Sequence, residues 1–431
     1  MLGRIRRSDI ARSVVTLTTG NAIGQVITIA GIPILTRVYD PSAYGFLAIY
    51  VSISTLLAVV ATGRYEFAIL LPNHRADAIA VKRLARRLLW FVSLVILVVL
   101  YLLLDPISNL LNAEDFKYWI LSIPLHVLLL GEISILSYWH TRQKNFHIQS
   151  RNRILFNGAT VCIQLGIGAW ALPDVRGLIL GLLIAQLAAC VFLMSRQGIG
   201  KVERQVVTRH DVMRMLNRYK KMPLLNAPTA LLDSIRVNGV NLILGSQSLS
   251  ALGQYSMAWR SVQVPLGLVG SALSQVFFQR MSRETQGDLS RVILRSVLST
   301  LIVSLPIFVL IFLLAPQLLP LVLGADWEDA AWYAQALTPW LYLNLATSPI
   351  ATVFIVAEAQ GRQAIFGVVY TASAVASLFV YRDDLLAAVW AMSLVMSACL
   401  VGFIALALFT AKEYDRYQGM QRTSVDDRED L

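Results

Sequence analysis

Residues 14–71 read VVTLTTGNAIGQVITIAGIPILTRVYDPSAYGFLAIYVSISTLLAVVATGRYEFAILL. Two apolar runs, 14–36 and 44–71, flank a short polar insert built around TRVYDP. A helix rises 1.5 Å per residue, so about 20 apolar residues cross a bilayer core, and each run is long enough. The first run follows the basic segment MLGRIRRSDIARS. It is too long for a signal-peptide core and lacks an A-x-A exit, so it is predicted to be an uncleaved first span.

Working outward, ten more segments meet the same length: 88–104, 117–140, 154–172, 177–194, 223–245, 253–278, 292–316, 332–357, 364–380 and 385–410. They are continuous apolar runs, not the short alternating segments of a barrel. The fold class is therefore all-α integral membrane, with about 12 transmembrane helices. The stretch 316–334, PQLLPLVLGADWEDAAWYA, is predicted to form a short re-entrant or interfacial turn. Composition agrees, since 56% of the 431 residues are hydrophobic and 15% are charged. Soluble domains average about 25% charged.

The net charge of +11 would suggest nucleic acid in a soluble protein. Here the charge sits between apolar runs. One alternating set comprises the N-terminus, 72–87, 141–153, 195–222, 279–291, 358–363 and the C-terminal tail. It holds 29 of the 37 Lys and Arg residues, and the opposite loops hold only Arg37, Lys117, Arg176 and Arg382. The positive-inside rule then places both termini in the cytoplasm, and no nucleic-acid partner is implied. The loop 195–222 ends in RHDVMRMLNRYKKM, where Val212, Met215, Leu216 and Tyr219 at helical spacing predict an interfacial amphipathic helix.

The halves of the chain match at an offset of 208 residues. Ser42-Ala43-Tyr44-Gly45 falls on Ser250-Ala251-Leu252-Gly253, Gly31 on Gly239 and Arg87 on Arg295. Span 1 carries Thr18, Asn21, Gln25 and Thr28, and span 7 carries Asn226, Thr229, Asp233 and Arg236 at the same offset. The 3, 4, 3 spacing puts each set on one helical face. Six helices separate the two, so the halves share an orientation and form a parallel repeat. The expected organisation is a lobe at 1–205, a lobe at 206–411 and a polar cytoplasmic tail at 412–431, the lobes enclosing a central cavity. A single polar stripe is accounted for by helix–helix hydrogen bonding. Two related stripes on the leading helices of two lobes favour the walls of a shared cavity. Gly20, Gly24 and Gly31 on a neighbouring face of span 1 serve close packing.

Charges within the membrane are costly and mark candidate sites. Arg236 lies midway along span 7 with Asp233 one turn before it, and the competing reading is an internal Asp–Arg pair. Arg260 lies about 10 Å inside span 8 by helical rise. Arg64 and Glu66 lie near the end of span 2, where Arg64 can snorkel, and Arg295 stands at the mouth of span 9. Glu132 and Glu358 are the other acids near the membrane, and His126 reads as a packed residue. The balance favours arginine, whose planar fork suits phosphate or carboxylate, so the cavity (Arg236, Arg260, Arg64, Asn21, Gln25, Asn226 and Asp233) implies an anionic cargo. Cys162, Cys190 and Cys399 lie within apolar runs and imply no disulfides. The five histidines lack metal-ligand spacing, and no GxxxxGK[ST], HExxH or GxSxG occurs, so no cofactor, metal or catalytic residue is indicated.

The segments ILTRVYDPSAYG and RYEFAILLP, the basic loop YWHTRQKNFH, and more loosely LSALGQYSMAWR and GADW, resemble bacterial polysaccharide-biosynthesis flippases of the Wzx type. Those belong to the multidrug/oligosaccharidyl-lipid/polysaccharide exporter superfamily. The resemblance covers most of the chain and implies two six-helix bundles around a central cavity in the bacterial inner membrane. It also implies an undecaprenyl-diphosphate-linked oligosaccharide as cargo, with membrane lipid and other polysaccharide-assembly proteins as partners. A multidrug antiporter of the same superfamily would want a carboxylate in span 1, which has none. A membrane glycan polymerase or glycosyltransferase would need a substantial periplasmic loop bearing acid, base or Arg clusters, and the loops here are about a dozen residues or shorter apart from the apolar stretch 316–334.

Overall fold

The computed structural model describes residues 2–110, 116–198, 208–263, 289–347, 350, 353–357, 359–381 and 383–429. All regular structure among them is helical. Eight of the described helices are long and apolar enough to cross a membrane. The chain divides into two compact units, Met1–Ser256 and Met257–Leu431.

In the first unit the order is α1 (Leu2–Leu35), α2 (Pro41–Ala61), α3 (Tyr65–Ala68), α4 (Arg75–Leu102), α5 (Leu104–Leu110), α6 (Lys117–Ile120), α7 (Ile123–Arg142), α8 (Phe146–Trp170), α9 (Val175–Ser195), α10 (Arg209–Arg218), α11 (Ala227–Gln247) and the start of α12 (249–263). A π turn, Met222–Asn226, leads into α11. Helix α2 lies at the centre and packs on α7, α9 and α11. Its Tyr44, Phe46, Ile49 and Tyr50 are buried, with Tyr50 stacked on His126 of α7. Asn241 of α11 donates to Ser52 Oγ of α2 at 2.9 Å. Helix α1 runs along α8, and its Gly20, Gly24 and Gly31 meet Ser150, Asn157 and Val161 with no room for a β-carbon.

The repeated Ser-Ala-x-Gly segments pack on each other. A β-carbon on Gly45 would strike the backbone carbonyl of Leu249, and one on Gly253 would strike that of Pro41. Leu249 is the repeat counterpart of Pro41, so the contact is reciprocal. The capping is repeated too. Asp40 accepts from the Ala43 amide at 2.9 Å, and its counterpart Ser248 accepts from the Ala251 amide at 3.2 Å. Each satisfies a backbone donor that the first helical turn leaves free.

The segment 72–87 is largely helix, not loop. It forms the first turns of α4, where Ala78, Ile79, Val81, Leu84 and Ala85 are buried together with Lys82, while Arg75 and Arg87 are exposed. The expected amphipathic helix is α10, closed by a capping box between Thr208 and Asp211. It docks Val212 and Met215 against α4, and Arg214 pairs with Asp77 at 2.8 Å.

The second unit continues α12 and holds α13 (Leu289–Leu323), α14 (Glu328–Thr347), α15 (Val353–Val356), α16 (Gln360–Val380) and α17 (Leu385–Glu429). Phe354, Phe366 and Phe403 form an aromatic core with Ile293 and Val297. Trp259 stacks on Trp340, whose indole N–H donates to the Tyr370 hydroxyl. Asp415 of α17 accepts from the backbone amides of Leu289 and Ser290, both at 3.0 Å, and so caps α13.

The re-entrant or interfacial turn expected over 316–334 narrows to 324–327, with helix on both sides. Helix α13 continues through Pro306, Pro316 and Pro320 to Leu323, the chain turns at Gly324 with φ 109°, and α14 starts at Glu328. A proline cannot donate to the carbonyl four residues before it. At Pro316 that acceptor is Phe312, and Gln335 Nε2 of α14 bonds it at 2.7 Å. A side chain from the neighbouring helix thus replaces the lost bond.

Candidate functional site

Of the four stripe residues on α1, Thr18, Asn21 and Thr28 are half-buried, and Gln25 is exposed. Thr28 is bonded to its own helix through the Gly24 carbonyl at 3.1 Å. Because the glycine face of α1 holds α8 close, Arg153 of α8 reaches across the seam and donates through Nη1 to Asn21 Oδ1. By sequence Arg153 is a charge of the basic segment 141–153. The structure places it on the second turn of a helix, beside the polar stripe.

Arg153 also borders a cleft of about 190 Å³ among α7, α8 and α9, shared with Ser137, Gln149, Asn152, Phe156 and Gln186. Gln149 is committed to the wall, its amide donating to Ser137 O at 3.1 Å and Thr141 Oγ1 at 2.9 Å. Asn152 and Gln186 are more than nine-tenths buried, and the carbonyl oxygens Asn152 Oδ1 and Gln186 Oε1 have no partner. An unsatisfied buried acceptor is costly and rare.

Arg64 occupies a left-handed turn (φ 59°) just after Gly63, which is also left-handed (φ 57°). For a residue with a β-carbon that conformation costs on the order of 1 kcal/mol. Its guanidinium lies 3.6 Å from the buried Glu66 carboxylate and 5.2 Å from the centre of the Phe67 ring. Asn226 is exposed in the π turn and donates to Met222 Sδ. Thr229 and Asp233 are exposed on α11, with Thr229 bonded to the Leu225 carbonyl. Arg236 has its backbone within α11, and its side chain lies outside the described residues. Arg260 is half-buried on α12 beyond Ser256, in the second unit. The first unit therefore carries six of the seven sequence-derived positions, and it adds Arg153 to Asn21. Glu358 and the C-terminal residues 430–431 also lie outside the described residues.

Two further internal cations have partners so distant along the chain that no local pattern marks them. Arg86 of α4 forms a fork with Glu132 of α7, with Nε to Oε1 at 2.6 Å and Nη2 to Oε2 at 2.7 Å. Lys82 is buried, 4.7 Å from the centre of the Trp139 ring, and donates to Gln197 Oε1 at 2.7 Å. The Gln197 carbonyl receives the Trp139 indole at 2.8 Å and the Gln143 amide at 3.0 Å. This knot ties the ends of α4, α7 and α9. Among the described residues, no group of three or more His, Cys, Asp or Glu is placed to hold a metal ion.

A family model described as polysaccharide biosynthesis protein matches residues 34–332. Among solved structures, the inward-facing conformation of a multidrug resistance MATE family transporter of the MOP superfamily is similar. It has a TM-score of 0.67 at 14% identity, over 96% of this chain and 99% of that one. The lipid II flippase MurJ, in an inward closed conformation, has a TM-score of 0.70 at 12% identity, over 94% and 91% of the two chains. At such identities the likeness is one of fold, an all-α membrane architecture with room for about twelve spans. No curated protein sequence matches the chain.

Proposed function

The chain belongs to the family of polysaccharide biosynthesis proteins, and from that premise we propose that it flips undecaprenyl-diphosphate-linked oligosaccharide from the cytoplasmic to the periplasmic leaflet of the bacterial inner membrane. It does so by alternating access, as a step in the assembly of O-antigen, capsule or exopolysaccharide. The observation that carries this reading is the seam between α1 and α8, where Arg153 of α8 donates to Asn21 in the polar stripe that runs along the apolar stretch Thr18–Leu35 of α1. A lipid-linked glycan brings a diphosphate and many hydroxyl groups into a medium that offers no hydrogen-bond partners, so the protein must supply them. Guanidinium groups suit the diphosphate and amides suit the sugars.

On this reading Arg236, Arg260 and Arg64 meet the diphosphate at different depths. Asn21, Gln25, Asn226 and Asp233 line its path, and Arg153 joins them. The two lobes, 1–205 and 206–411, open alternately, and the tail 412–431 stays in the cytoplasm with the N-terminus. The catalytic alternative, a glycan polymerase, differs in what its loss leaves behind. Cells lacking the protein should accumulate unpolymerised lipid-linked repeat units on the inner leaflet, unchanged in sugar composition by mass spectrometry. Units that reach the periplasm but stay unpolymerised would replace flipping with polymerisation.

A second reading, multidrug extrusion, is favoured by the likeness to the MATE transporter fold. The α1 stripe opposes it, since Thr18, Asn21, Gln25 and Thr28 include no carboxylate to hold a cationic drug or its coupling ion. Raised accumulation of cationic dyes in the deletion strain, with normal lipid-linked intermediates, would establish that reading instead.

A further inference from the structure

The cleft among α7, α8 and α9 sits beside the α1 stripe, joined to it by Arg153. Its chemistry differs from that of a diphosphate site. It offers one guanidinium, two uncharged amides with unused carbonyl oxygens, and the ring of Phe156. Free acceptors repel phosphate oxygens, which carry no proton to donate. They match hydroxyl groups, which accept from Arg153 and donate to Asn152 and Gln186 once a rotation of those two side chains turns their sealed oxygens into the cleft. An aromatic wall suits the apolar C–H face of a pyranose ring. Gln149 bonds α8 to α7 through the Ser137 carbonyl and so fixes one wall of the cleft.

We propose that this cleft is a sugar subsite, which takes one monosaccharide ring of the cargo and leaves the diphosphate to the arginines elsewhere on its path. The inference rests on the flippase reading, and it adds that part of the cargo's sugar is held within the N-terminal half of the chain. It assigns binding to Asn152, Gln186, Arg153 and Phe156, none of which the stripe pattern singles out. The independent evidence is that two such unpartnered carbonyl oxygens, on side chains more than nine-tenths buried, belong to residues lining one small cleft.

The test uses the full-length protein in lipid nanodiscs with two probes: undecaprenyl diphosphate alone, and lipid-linked oligosaccharide extracted from cells lacking the protein. Wild type should bind the oligosaccharide probe more tightly than undecaprenyl diphosphate. Asn152→Leu and Gln186→Leu keep an approximate side-chain outline and remove the polar amide. Each should weaken the oligosaccharide probe about tenfold and leave undecaprenyl diphosphate unchanged. Phe156→Leu, which keeps every polar group, should weaken the same probe several-fold and serves if a leucine variant fails to fold. Equal binding of the oligosaccharide probe by wild type and the variants would overturn the subsite and leave the cleft to water. Equal binding of the two probes by wild type would do the same. Binding of neither probe by wild type would instead take down the flippase reading, and the subsite with it.

Discussion

At Arg236 the two explanations of an intramembrane charge separate cleanly. If the guanidinium meets cargo diphosphate, Arg236→Ala should cripple glycan export at near-normal protein abundance, with a loss of about 1.5–3 kcal/mol of charge-assisted contact. Arg236→Lys should recover part of it, since lysine keeps the charge and loses the fork. If Arg236 only balances Asp233, the single variant should lower abundance, and Arg236→Ala with Asp233→Ala should restore both abundance and export. The Arg86–Glu132 fork is a different case, since both partners are seen and the carboxylate is buried. Arg86→Leu should destabilise the protein by about 3 kcal/mol by stranding Glu132, and Glu132→Leu in the same chain should recover most of that loss, read by thermal unfolding. Arg86, Arg153 and Glu132 were each visible in the sequence as residue types. Their partners lie 46 and 132 residues away, and no local pattern encodes such a pairing.

Among elements, the apolar runs were legible because lipid imposes length and apolarity on every span. Element ends were less so. Reading 72–87 as a loop treated charge as a helix terminator, although a helix leaving the membrane can carry charge on one face and bury Ala78, Val81 and Ala85 on the other. Reading 316–334 as a turn treated prolines as breakers, although Gln335 supplies the donor that Pro316 withholds. Gln335→Leu should therefore destabilise α13 by about 1–3 kcal/mol, measured by unfolding of the purified protein. Pro316→Ala in the same chain should return most of it by restoring the backbone donor. Helix α10 offers a pH test outside the membrane. Hydrogen bonds from the Thr208 amide and hydroxyl hold the Asp211 carboxyl below its ordinary value. A carboxyl with a depressed folded pKa stabilises fully above its unfolded value of about 4 and loses that contribution as pH falls through the folded value. Amide exchange of 209–218 should accordingly rise as pH drops below about 4 relative to an Asp211→Asn chain, after correction for intrinsic rates. Equal protection in the two chains across that range would remove the capping box from the account.

For the molecule as a whole, the charge asymmetry of the loops makes a topological prediction. Reporter fusions in 195–222 and after 412 should both report cytoplasm, and one at 173–177 should report periplasm. Opposite signals from the first two would break the even span count. The 208-residue repeat was legible from a few identities and two stripes. The sequence could not say that the repeated Ser-Ala-x-Gly segments touch each other, because a repeat states likeness and not contact. That contact is of the kind a symmetric homodimer makes at its axis, with both partners here supplied by one chain. Mutationally, Gly45 and Gly253 then form a single locus. A methyl group on either meets a backbone carbonyl, which has no rotamer with which to step aside, so the crossing as a whole must part. Once one alanine has parted it, a second finds the space already made. The cost of Gly45→Ala with Gly253→Ala should fall well short of the two single costs combined, whereas alanine at two unrelated helix contacts would simply add.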